Sequence, residues 1–340
     1  MRLSKRRIAG VLVTGSLVWA PVARGASSAL RIGLLSQSSG SGAEVLVGAE
    51  RAIAEANEAG GVGGRPVELV VLPRSRPWLG VAGPTARLVA EQTPAALIGP
   101  LDGSAAHVGA QIATRTQTPL LTLASEKSLT EAFSPWVFQG VPNDARQARR
   151  LLLDALSEPR GKQAAIVVPA GRTGTERRAA LETVCRDLGL RYETLTGRDS
   201  VLRSSTDVLL LWLEPDDASN WVARQARERL PDRILVPHWL ADEVFLEALP
   251  PWVTGLSGPQ LRPAAGASTT SALAYDLTSL AIAALRRAGP DRLRVPEFLA
   301  NAEPYSGLSG TFSFDRRGAR VGTYPVVAVE RANTARRTHR

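Results

Sequence analysis

Two hydrophobic periods alternate along this chain. Residues 30–35, Leu-Arg-Ile-Gly-Leu-Leu, form a short apolar run, after which Ala49, Ala52, Ile53 and Ala56 recur at helical spacing. Four glycines in the five residues 60–64 follow, and then the β-branched run of Val67, Leu69, Val70 and Val71. Glycine so placed supplies the positive φ that a helix end and a sharp reversal require. The unit is strand, helix, glycine turn, strand, the beginning of a parallel α/β sheet.

The same alternation continues. Helical spacing covers 80–92, 104–116 and 143–156, with apolar strand runs at 94–99, 118–124 and 137–141. A second series starts at QAAIVVP and proceeds through the helix TERRAALETVCRDLG, capped by Gly189, to the strands LRYETL and TDVLLLWL. DDASNWVARQARERL reads as a helix and DRILVPHW as a strand. LSGPQLRPAAGAS reads as a linker before a long helix at 269–289, and a turn at Asp315–Gly318 separates two closing strands. Two successive series of similar size predict two doubly wound, parallel-sheet α/β lobes.

Composition narrows the function. A length of 340 residues accommodates two domains, and 44% hydrophobic with 21% charged residues describes a globular chain. The net charge of +9 rests on scattered arginines, with lysine only at Lys5, Lys127 and Lys162. Without a basic face or stacking aromatics, no nucleic-acid partner is expected. MRLSKRR followed by IAGVLVTGSLVWAPVA and Ala23-Arg24-Gly25 reads as a cleavable signal peptide over 1–25; no cysteine lies near the cleavage point, so a lipoprotein is not expected. The mature chain is expected in the periplasm, with a polar, disordered tail at 331–340.

Chemistry is sparse. Cys185, the single cysteine, lies on the apolar side of its helix and reads as a buried thiol. His107, His238 and His339 are too scattered for a metal site, so no metal is expected. There is no G-x-S-x-G elbow and no phosphate-cradling Walker loop. Ser39–Gly42 faintly resembles a dinucleotide fingerprint, but the second strand ends Leu72-Pro73-Arg74 without the acid that would hold a ribose. No cofactor and no catalysis are expected.

GPLDGSAAHVGAQ is more informative. A strand ends in a glycine-bearing loop and a helix starts near Ser104, where free N–H groups and a hydroxyl would receive a carboxylate. The next strand ends at LASEKS, placing Ser125 at the same carboxyl edge, where open α/β sheets bind ligands. Equally, Ser104 and Ser125 could each simply cap the helix that follows.

The segment from Arg31 to Leu72, with Asn57, Gly60, Gly61, Val62, Gly64 and Arg65 in an N-x-x-G-G-V-x-G-R pattern, resembles the opening of type I periplasmic solute-binding proteins of the leucine/isoleucine/valine class. IGPLDGSAAHVGAQ, LLTLASEKS, ALAYDLTSLAIAALRRAG and LSGTFSFDRRGARVGTYPVVAV resemble later parts of the same family, so the likeness spans nearly the whole mature chain. It implies lobe 1 at 26–140 plus 257–322 and lobe 2 at 141–256 plus 323–330, joined by three crossings. It also implies a monomer that hinges shut on a small ligand, an amino acid or related small carboxylate, for the permease of an ABC importer. A sensory or accessory protein of the same fold, working with a membrane sensor or redox system, is the alternative, and an exported enzyme a remoter one.

By position, the resemblance assigns Gly103 and Ser104 to the ligand's carboxylate, and Ala124, Ser125 and Glu126 to its carboxylate and amino groups. Thr173 stands where the family often has a tyrosine. His238 and Trp239 stand near its usual acidic partner, a role that Glu126 or Asp102 could take over. Trp78 and Trp239 point either to an aromatic ligand or to core packing.

Overall fold

The computed structural model describes residues 29–35, 41–72, 81–261, 268–289 and 291–331. The expected signal segment, the loop at 36–40, the segment carrying Trp78 and the tail beyond 331 lie outside the described residues.

The first sheet is built from β1 (Leu30–Leu34), β2 (Val67–Val71), β3 (Ala96–Ile98), β4 (Leu120–Thr122) and β5 (Val137–Gln139), all parallel in the order β2-β1-β3-β4-β5. The connecting helices are α1 (Ser41–Glu58), α2 (Ala82–Gln92), α3 (Gly103–Thr116) and the single turn α4 (Ser128–Glu131). Ile32, Leu34, Ala96 and Ile98 face the core shared with α1; Leu97 and Leu120 face the other way, onto Leu88 and Val89 of α2 and Ala113 of α3. This is the period-2 division of a sheet buried on both faces.

The glycine turn after α1 does what its sequence requires. Gly61 sits at φ 71°, and a β-carbon there would lie 2.0 Å from the Arg65 carbonyl oxygen. Val62 and Arg65 exchange backbone hydrogen bonds, and the Asn57 amide clamps Val67 by donating to its carbonyl and accepting from its N–H, at 2.9 and 2.8 Å.

The second sheet begins after α5 (Asp144–Ala155), with β6 (Gln163–Val168), α6 (Gly171–Asp187), β7 (Arg191–Thr196), β8 (Val208–Leu211), α7 (Pro215–Ala223), β9 (Ile234–Leu235), α8 (Glu243–Ala248) and β10 (Gly255–Pro259). Residues of alternate parity on β6 and β8 face α5 and α6 on one side and α7 and α8 on the other. Cys185 is fully buried among the former, and burial pushes its thiol up to about 12.

The chain then returns to the first lobe with α9 (Thr269–Ala288), which packs along α1, and α10 (Val295–Asn301). A small antiparallel sheet follows: β11 (Tyr305–Gly307), β12 (Gly310–Phe314) and β13 (Arg320–Val321). Finally β14 (Val326–Glu330) adds antiparallel to β10, giving the order β14-β10-β9-β8-β6-β7. The chain therefore passes between the lobes after β5, after β10 and after β13.

Three expectations need correction. The stretch taken as a linker contains β10; its Gly258 packs so closely that a β-carbon would lie 2.3 Å from that of Ala241, so the glycine serves packing rather than flexibility. The last expected strand is two, β13 and β14, divided where Gly322 and Pro325 carry the crossing. The helix expected near Ser104 does start there, at Gly103, but Asp102 and not Ser104 is its cap.

Candidate functional site

A cavity of about 470 Å³ lies between the lobes, within the range of small-molecule sites. Lobe 1 lines it with Leu101, Asp102, Leu123 and Ser125, and lobe 2 with Arg177, Glu214, His238, Trp239 and Phe245.

On the lobe 1 side, two loops meet at the carboxyl edge of the first sheet. After β3, Asp102 caps α3, its Oδ1 accepting from the Ala105 N–H at 2.8 Å. After β4, Glu126 folds under that helix start. A β-carbon on Gly103 would lie 2.0 Å from Glu126 Oε1, so only glycine fits between helix and carboxyl. Glu126 is 2% exposed and neither of its oxygens has a hydrogen-bond partner. Burial, reinforced by the like charge of Asp144, pushes this carboxyl up to about 7 against the pull of Arg177.

Its neighbours are already engaged. Gln139 Nε2 donates to the carbonyls of both Ala124 and Glu126 at 2.9 Å. Ser125 Oγ donates to Asp144 Oδ1 at 2.8 Å, and Trp212 Nε1 donates to the same oxygen at 2.9 Å. Asp144 is fully buried at the start of α5, where burial raises its carboxyl. One carboxylate thus ties the β4 loop of lobe 1 to β8 of lobe 2.

On the lobe 2 side, Arg177 is 5% exposed because it stands in the apolar stripe of α6, between Gly174 and Leu181. Its guanidinium lies 4.6 Å from the centre of the Trp239 ring and donates to Glu214 Oε1 at 3.1 Å, while Nε is left without a partner. Burial alone would lower this guanidinium; Asp144, Glu214 and Glu126 outweigh it and hold it above its ordinary value. His238 is buried, and its backbone N–H and ring Nδ1 both meet Gln147 Oε1, at 3.0 and 3.2 Å. An amide oxygen only accepts, so Nδ1 carries the proton. Burial, with Arg320 and Arg177 nearby, lowers the imidazole to about 3, leaving it neutral.

The lobes also touch beside the cavity. Ser128 Oγ donates to Glu176 Oε2 at 2.5 Å, and His107 Nε2 lies 3.0 Å from the same hydroxyl.

Of the residues singled out from the sequence, Ser125, His238 and Trp239 line the cavity, and Gly103 and Glu126 lie packed together behind Ser125. Ala124 is buried behind the wall. Ser104 is exposed and Thr173 half-buried, and neither is on the lining. Neither serine caps a helix, since Asp102 caps α3 and Ser125 is committed to Asp144. Sequence reasoning missed Asp144, Arg177, Trp212 and Glu214. Only Arg177 carried a signal, an arginine at helical spacing with Gly174, Leu181 and Val184.

Residues 29–250 match the model of a family described as periplasmic binding protein. No curated protein matches the sequence. Among solved structures, the leucine-binding protein LivK of Thermotoga maritima is similar at a TM-score of 0.76 and 19% identity, over 89% of this chain and 96% of that one. LivJ of Streptococcus pneumoniae, a branched-chain amino acid transporter substrate-binding protein in complex with isoleucine, gives 0.74 and 20% over 89% and 96%. A solute-binding protein of an ABC transporter from Rhodopseudomonas palustris, in complex with 3,4-dihydroxybenzoic acid, gives 0.72 and 15% over 90% and 94%. At such identities the likeness is one of fold.

Proposed function

The chain belongs to the periplasmic binding protein family, and from that premise we propose that it captures a small solute between its lobes for the permease of an ABC importer. The observation that carries the reading is a cavity walled from both lobes with an unsatisfied buried group on its lining. Arg177 from lobe 2 is 5% exposed and its Nε lacks an acceptor. Buried polar groups are nearly always paired, and an unpaired donor on a cavity wall is a place for a ligand's acceptor atom. Trp239 and Phe245 supply apolar wall.

Capture works by closure. The three crossings act as the hinge, and the contact of Ser128 with Glu176 is made only when the lobes meet. On this reading the ligand is held and released unchanged. The basic and then apolar segment at 2–22 supports export before folding. Similar structures holding isoleucine or a dihydroxybenzoate support an amino acid or a small aromatic acid as the first solutes to test.

The test is a thermal-shift screen of the chain from Ala26 against amino acids, small carboxylates and benzoates. A solute at ~100 times its Kd stabilises by about 2.7 kcal/mol. A shift that Ser125→Ala abolishes and Ser104→Ala leaves intact is expected; silence across the whole panel overturns the reading.

A further inference from the structure

We propose that Arg177 anchors a carboxylate of the solute from lobe 2, and that Glu214 is a displaceable stand-in for that carboxylate; the assignment rests on the solute-binding reading above. Among the described residues, Arg177 is the one cavity-lining residue with a buried side-chain atom left unpartnered, its Nε. A guanidinium presents its donors as a planar fork, which matches the two oxygens of a carboxylate.

The cavity already shows this chemistry. Glu214, also on the lining, accepts from Arg177 Nη1 at 3.1 Å and leaves Nε free. The two partners are unequally held. Arg177 is 5% exposed, whereas the Glu214 side chain is 60% exposed. Glu214 precedes α7 but makes no side-chain cap bond, so the helix does not depend on its carboxylate. A pair open to water on one side is worth little, and water readily receives the released glutamate. A solute carboxylate enclosed between the lobes is screened less and pairs more strongly with the same guanidinium. One carboxylate replaces another, so the charge paired with Arg177 is unchanged by the exchange.

The guanidinium is held in place beforehand. A β-carbon on Gly174 would lie 1.7 Å from the Pro169 carbonyl oxygen, so α6 packs tightly on the end of β6. Trp239 covers the guanidinium at 4.6 Å, and its own Nε1 donates to the Leu213 carbonyl at 3.0 Å, which fixes the ring. A donor so held loses little freedom on binding.

Lobe 1 leaves this role open. Ser104 is exposed and off the lining, and Asp102 Oδ1 has taken the Ala105 N–H. Ser125 lines the cavity but donates its hydroxyl proton to Asp144 at 2.8 Å. The hydroxyls expected from the sequence to receive a carboxylate are therefore off the wall or engaged.

The experiment is calorimetry on the chain from Ala26 with matched acids and amides: 4-hydroxybenzoate and 4-hydroxybenzamide, isovalerate and isovaleramide, L-leucine and L-leucinamide. In a pair that binds, the acid is expected to be about tenfold or more tighter than its amide. Arg177→Gln should abolish that preference. Glu214→Ala changes a side chain that is mostly in water, so the fold is retained; it should tighten the acid about threefold relative to the amide, because the stand-in is gone. An amide binding as tightly as its acid, an acid preference that survives Arg177→Gln, or no gain in Glu214→Ala overturns the assignment and leaves solute capture standing. Binding confined to solutes of the wider panel that lack a carboxylate does the same. Silence toward the pairs and toward the wider panel overturns both.

Discussion

Two buried polar clusters, one at the hinge and one at the cleft, were built from the same kinds of residue and ended differently. At the hinge, Asp276 on α9 accepts from the N–H groups of Leu308 and Ser309 at 2.8 and 2.7 Å and from the Ser309 hydroxyl at 2.5 Å. Arg320 donates to the carbonyls of Gly140 and Ser309 at 2.9 and 2.7 Å and to the Ser309 hydroxyl at 3.1 Å, and lies 3.9 Å from the centre of the Phe312 ring. It thereby joins the third crossing to the first. Burial raises the Asp276 carboxyl and pulls the Arg320 guanidinium down to about 10, but the polar contacts are made within the fold. At the cleft, Glu126 and Arg177 are as deeply buried and keep unpartnered atoms. Burial alone therefore does not mark a functional group; an unpartnered buried atom on a cavity wall, as at Arg177, is the stronger sign.

The largest expected effect breaks the hinge side. Asp276→Ala leaves the N–H groups of Leu308 and Ser309 and the Ser309 hydroxyl without their acceptor and the buried Arg320 without its nearby opposite charge, and a loss of roughly 3–5 kcal/mol is expected in denaturant unfolding. A loss under about 1 kcal/mol would erase the distinction between the clusters.

The next effect concerns Glu126 and depends on pH. Its carboxyl titrates near 7 in the fold against 4.5 as the ordinary value, so the folded state holds the proton longer than the unfolded chain. That stability is fully present below 4.5 and is lost as pH rises through 7, by roughly 3 kcal/mol in total. His238, lowered to about 3, acts in the opposite sense: its contribution is present above 6.5 and is lost as pH falls toward 3. The two offset each other in mildly acidic solution, so the diagnostic is the difference between variant and parent. Glu126→Gln should gain on the parent steadily from pH 5 to pH 8. A difference that stays flat with pH would mean that Glu126 is solvated or paired after all.

The smallest effect sharpens the role of closure. Glu176 is pushed up by burial, but the hydrogen bonds from Ser128 and Arg172 and the nearby His107 outweigh this and hold it below its ordinary value. Glu176→Gln should cost about 1 kcal/mol at the lobe contact and enlarge the radius of gyration in small-angle scattering. An unchanged radius, with or without ligand, would show that this contact does not bias the lobes.

Much of the fold was legible because it repeats short-range patterns. The apolar runs at 30–35 and 163–168 and the glycines after α1 announce their elements locally, and Asn57 is placed by the same turn. β10 was not legible, since Gly258 and Pro259 suggest a linker until Val236 and Ala241 are seen packed against that glycine. The site was legible only in part. Ser125, His238 and Trp239 follow strand ends, whose position along the chain indicates a sheet edge. Asp144 and Trp212 are 68 residues apart, and nothing local to either signals that Ser125 joins them.

By itself, then, the sequence determined the alternation of strands and helices, the two series and the edge where a ligand would be held. Those properties depend on side-chain period and turn chemistry, which act over a few residues. Only the tertiary structure decided which polar groups are satisfied and which of them line the cleft. Ser104 faces solvent, Asp102 and Asp242 neutralise helix starts, and Glu126 goes unpartnered because distant segments fill or leave empty the space around each. Desolvation and pairing are set by every neighbour within a few ångströms, and those neighbours come from both lobes.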